Sequence, residues 1–118
     1  MTVLPERVSK SVFQYEQYLR ERVSPSTRRR YGNTLWKFFI GFAGHKRVDD
    51  FRPRDVIAYR RRRRGDGVPE RIINAELAIV RAYFGWEMQR NTRIKVNPAL
   101  RQPLRPVRRV QPPLGVAA

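Results

Sequence analysis

The chain has 118 residues, enough for one small domain, and at 41% hydrophobic it can build a modest core. Its 26 Lys+Arg against 10 Asp+Glu give a formal net charge of +16, a self-repelling excess that calls for a polyanionic partner, nucleic acid first. With no cysteine, disulfide frameworks and Cys-based metal sites are excluded.

No apolar run approaches membrane-spanning length and the N-terminus lacks the apolar segment of a signal peptide, so a soluble, cytoplasmic protein without a membrane partner is expected. Arginine greatly outnumbers lysine. That balance favours phosphate and base-edge contact, because the guanidinium fork bonds bidentately.

Residues 1–8 read as a flexible lead-in. Residues 9–22 have helical spacing, with Val12, Tyr15 and Leu19 on one face, extended by Val8 or Phe13. Glu16, Gln17, Arg20 and Glu21 turn to solvent. Ser24 is placed to cap a second helix, with Pro25 at its first position, where no amide donor is needed. That helix runs over residues 25–42. Tyr31, Leu35, Phe38, Phe39 and Phe42 form its core face, and Arg29, Arg30, Asn33 and Lys37 the opposite one. Thr27 and Arg28 fall in its first turn, where backbone amides and the positive end of the dipole favour a phosphate.

Residues 43–52 connect, with Val48 and Phe51 expected in the core. Pro53 starts a third, shorter helix, with Asp55 in its first turn and Val56, Ile57 and Tyr59 making its apolar contacts. It ends in the arginine run of residues 60–64, which cannot all face one way; Arg61, Arg62 and Arg64 are candidates for phosphate contact. Gly65-Asp66-Gly67 is a turn signal.

The fourth helix, residues 69–90, organises the chain. Ile73, Leu77, Val80, Phe84 and Met88 recur at steps of three and four. A neighbouring stripe holds Arg71, Asn74, Ala75, Ala78 and Arg81, cationic, hydrogen-bonding or small. Ile72, Ile79, Tyr83 and Trp86 make the rest apolar too, so this helix reads as buried on two sides with one basic strip outward. Beyond Asn97-Pro98, residues 99–118 are rich in proline and arginine and read as a linker or tail. The single histidine, His45, lacks ligand companions, so no metal site and no cofactor is expected.

The segments STRRRYGNTLWKFFIGFAG, FRPRDVIAYRRRR, INAELAIVRAYFGW and IKVNP, in this order and spacing, resemble the N-terminal core-binding domain of the tyrosine recombinases, or phage integrases. The landmarks are Thr27, Tyr31, Leu35 and Phe38, then Asp55, Val56 and Tyr59, then Ile73, Asn74, Leu77, Arg81, Tyr83 and Phe84, closing on Asn97-Pro98. The resemblance covers about residues 9–98. It implies an all-α, SAM-like orthogonal bundle of four to five helices that clamps double-stranded DNA opposite a separate C-terminal catalytic domain. Its second and fourth helices would approach the major groove, with Thr27, Arg28, Arg29, Arg30, Asn33, Lys37, Arg71, Asn74 and Arg81 as the DNA-binding residues. Other recombinase protomers are implied as further partners.

Two departures stand out. Pro69 and Ile72 occupy places where the family often has Ser and Thr, which removes a cap and a hydroxyl that Arg71 would have to replace. The family's chemistry also needs a tyrosine nucleophile, two arginines and histidine or lysine on the C-terminal domain. His45 is followed by Lys46, Arg47 and Val48, not by the family's histidine-x-x-arginine pattern, and the tyrosines fall in core patterns. No catalytic residue is therefore assigned, and this chain is not expected to cut or join DNA by itself. The alternatives are a free-standing DNA- or RNA-binding module and a protein-interaction module acting in synapsis through Trp36 or Trp86.

Overall fold

Each apolar stripe is realised as a helix. The computed structural model describes residues 6–41, 47–91 and 93–99. Among them are α1 (Glu6–Leu19), α2 (Pro25–Ile40), α3 (Pro53–Gly65) and α4 (Glu70–Arg90), with one 3-10 turn at Val48–Asp50 and no strand. The all-α class is as expected. Phe42, His45 and the tail arginines lie outside the described residues.

The first helix begins and ends three residues earlier than its spacing suggested. Val8 is only 1% exposed, so the stripe of Val8, Val12, Tyr15 and Leu19 is continuous along α1. The Leu19 carbonyl then accepts the amides of Arg22 and Val23 at 2.9 and 3.1 Å, which closes α1 and turns the chain. Ser24, in extended backbone, caps α2 by accepting the Thr27 amide at 3.2 Å. At α3 the cap comes from the other side: Asp55 Oδ2 accepts the Arg52 amide at 2.8 Å.

α3 ends at Gly65, and just past its C-cap Asp66 stands Gly67, whose φ of +85° is the left-handed conformation that glycine adopts without a Cβ clash. The amides of Gly67 and Val68 reach back to the carbonyls of Arg64 and Arg63. This tight reversal sets α4 directly against the α3 arginine run. Pro69 precedes α4 without any side-chain cap, as its residue type dictates.

α4 lies against each of the other three helices. Its Ile73, Val80 and Phe84 are fully buried, with Leu77 nearly so. They meet Leu35, Phe38 and Phe39 of α2, Val56 and Tyr59 of α3, and Val12 and Tyr15 of α1 in one core. Phe38 touches the rings of Phe39, Phe51, Tyr59 and Phe84 at 5.2–6.5 Å between centroids, mostly edge to face. Tyr31, Ile57 and Met88, assigned to the core by spacing, are half-buried. Val48 and Phe51 are in the core as expected.

Buried polar groups pin the helices in register. Ser11 on α1 lies 2.6 Å from the Tyr83 hydroxyl and donates to Glu87 Oε1 at 2.8 Å, both on α4. Burial raises the Tyr83 hydroxyl well above the ordinary tyrosine range. Asn97 donates to the Arg81 carbonyl and accepts the Ala99 amide, both at 2.9 Å, which folds the Asn97-Pro98 turn onto α4. Ala99, on the expected linker, is buried.

Candidate nucleic-acid interface

α2 and α4 leave between them an open groove of about 460 Å³. One wall is Arg29, Arg30, Asn33 and Lys37 of α2; the other is Ile72, Ala75 and Ile79 of α4, with Glu76 among them. The four α2 residues are all exposed. They share a face because a helix returns to the same side every three to four residues. Arg29 and Arg30 have no ion pair among the described residues, so their guanidinium groups remain available to an anion.

The arginine run is divided. Arg60 and Arg63, three apart, turn toward α4, while Arg61, Arg62 and Arg64 are exposed. Arg60 is 7% exposed, pairs with Glu70, and donates to Asn74 Oδ1 at 3.0 Å. Arg63 forks onto Glu76 at 2.9 and 2.7 Å. Tyr59 also donates to Glu76 at 2.9 Å, and Lys37 Nζ stands 3.5 Å from it. Burial pushes the Glu76 carboxyl up, but the bonds from Arg63 and Tyr59 and the charges of Arg63 and Lys37 outweigh it and hold its pKa below the ordinary range. Arg64 remains on the surface, paired with Glu70 at 3.1 Å. Arg62 lies over the Tyr59 ring at 5.5 Å.

The remaining candidates do not line this groove. At the start of α2 the Thr27 amide is taken by Ser24 Oγ and the Arg28 amide by the Ser24 carbonyl at 2.9 Å, which leaves the Ser26 amide as the donor of that turn. Thr27 and Arg28 are half-buried. Arg71 and Arg81 are exposed but do not line the groove, and Arg81 has no ion pair among the described residues. Asn74 is half-buried, and its oxygen is committed to Arg60. The stripe Arg71–Asn74–Arg81 thus parts company at its middle member, which faces α3.

Glu76, Glu70 and Tyr59 were not singled out from sequence as site residues. The available signal was Glu76 itself, a carboxylate between the Ile73/Leu77/Val80 and Ile72/Ile79 arcs of a helix apolar on most of its circumference. An acid there needs a cation from a packed neighbour, and among the described residues Arg63 of α3 supplies its two shortest charged bonds.

On the far half of α4, Trp86 is half-buried against Tyr15 and Tyr18, with ring centroids 5.0 and 5.7 Å away, and Arg90 lies over it at 4.4 Å. Trp36 is 41% exposed and belongs to neither the core nor the groove. Among the described residues no cluster of His, Asp and Glu is arranged to hold a metal, and no helix is long and apolar enough to cross a membrane.

The chain is a small, basic, all-helical domain with a cationic groove between its second and fourth helices. The family model for the phage integrase N-terminal SAM-like domain matches residues 12–91, and the chain belongs to that family. No curated protein and no solved structure matches the chain.

Proposed function

We propose that this domain binds duplex DNA through the α2–α4 groove and its rim, as the DNA-binding part of a tyrosine-type recombinase that positions a separate catalytic domain for integration or recombination. The observation that carries this reading is the wall of Arg29, Arg30, Asn33 and Lys37 on one exposed face. Phosphates satisfy such a wall, and each neutralised phosphate releases condensed counterions. Arg71, Arg81 and Arg61 are further exposed cations, and the small, exposed Ala75 and Ala78 let a backbone come close. The catalytic residues of the reaction belong to the other domain in this reading.

The test is a salt titration of binding to random duplex DNA. If roughly six to ten phosphates are contacted, affinity falls by a factor on the order of a thousand or more between about 50 and 200 mM salt. Arg29→Ala/Arg30→Ala should make the log–log slope shallower by roughly 0.9 for each phosphate no longer neutralised. An unchanged slope with the fold intact would move the DNA-binding surface away from the groove, and Arg71→Ala/Arg81→Ala then locates it. Tighter binding to structured RNA than to duplex at equal salt would overturn the DNA assignment.

A further inference from the structure

Among the described residues, Glu76 is the one acidic side chain lining the α2–α4 groove. A carboxylate there opposes an incoming phosphate, so its presence beside Arg29, Arg30 and Lys37 requires a reason. Its bonding is lopsided. Oε1 accepts from the Tyr59 hydroxyl and Arg63 Nε, both at 2.9 Å, and Oε2 accepts from Arg63 Nη2 at 2.7 Å. These α3 groups already engage both oxygens from the protein side. The fourth contact comes from another helix: Lys37 Nζ, 3.5 Å from Oε2, on a side chain 45% exposed and in the same α2 wall as Arg30 and Asn33.

We propose that Glu76 is a positioning residue for DNA binding: anchored by Tyr59 and Arg63, it holds the Lys37 ammonium at the groove rim, so that a phosphate meets an already ordered cation. The proposal rests on the groove facing DNA. A lysine side chain free in solution must give up rotamer freedom when it binds, which weakens association. Glu76 imposes that order beforehand, in a place where the fold itself holds the carboxylate still. The gain is in order and not in charge, since the carboxylate reduces the net attraction for the phosphate.

That opposition makes the sign of one substitution decisive. E76Q keeps the shape of the side chain and raises the net charge by one. Long-range electrostatics alone make the variant bind DNA more tightly. Positioning makes it bind more weakly, by a factor on the order of two to ten at fixed salt, for one side chain set loose. Binding is measured for wild type, E76Q, Lys37→Ala and the double variant, each shown by thermal melting to be folded at the working temperature. The expected result is that E76Q weakens binding in the wild-type background and no longer does so when Lys37 is absent. Tighter binding by E76Q, or equal weakening in both backgrounds, overturns the proposal. If E76Q does not fold, nitrogen relaxation of the lysine ammonium groups in the free wild type decides: Lys37 should be more ordered than exposed Lys95, and equal disorder overturns the proposal. Failure of the wild type to bind DNA at all is a separate outcome, which removes the DNA reading and this role with it.

Discussion

The split arginine run yields the sharpest prediction, because neighbouring residues of one type should behave in opposite ways. Arg63→Ala removes two charge-assisted bonds, of 2.9 and 2.7 Å, from a carboxylate only 9% exposed. Removing one partner of a buried pair costs about 3–5 kcal/mol. The Arg63 side chain is 17% exposed, and Tyr59 and Lys37 remain beside Glu76, so a value of about 2–3 kcal/mol is expected. For a domain of this size that lowers the melting temperature by roughly 10–20 °C. Arg61→Ala, two positions earlier on the exposed side, should stay within about 0.5 kcal/mol. Its effect should be on DNA instead, flattening the salt dependence by the equivalent of about one phosphate. Thermal and urea unfolding of both variants, with a salt titration of each, measures all of this. Equal melting temperatures for the two variants would refute the inward assignment of Arg63.

Three further outcomes are expected. Gly67→Ala, at a φ of +85°, should destabilise by about 1–2 kcal/mol, and Gly67→Asn by less, as read by urea unfolding. Ser24→Ala should cost about 0.5–2 kcal/mol because the Thr27 amide then has no cap, seen in the same assay. Glu76 and Glu70 both have lowered folded-state pKa values: at Glu76 the bonds from Arg63 and Tyr59 overcome burial, and at Glu70 the bond from Arg64 leads. A lowered carboxyl pKa gives stability that is present above the ordinary value of 4.5 and lost as pH falls through the folded value. Melting temperature should therefore be level above about pH 5 and decline below about pH 4.5, less steeply in E76Q.

Much of this protein follows from local rules. The apolar spacing in each segment picked out Val12, Tyr15, Leu35, Phe38, Val56, Tyr59, Ile73 and Phe84, all of them buried. Ser24, Pro25 and Gly67 marked boundaries because caps, prolines and left-handed glycines act within a few residues. Spacing alone also put Arg29, Arg30, Asn33 and Lys37 on one exposed face. The periodicity even required the arginine run to divide.

It did not say which arginines would turn inward. That depended on where Glu70 and Glu76 stand once the Gly67 reversal sets α4 beside α3, a pairing across 6 to 13 residues that no helical repeat encodes. Asn74 looked like a member of the outward strip by its angle on α4, yet Arg60 claims its oxygen. The groove is likewise a property of two helices, since neither α2 nor α4 has one alone. A chain's own periodicity determines which face of a helix is apolar, because that is geometry along one axis. Which charges are buried is decided between helices, because a buried charge is tolerated only where the packed neighbour supplies its opposite.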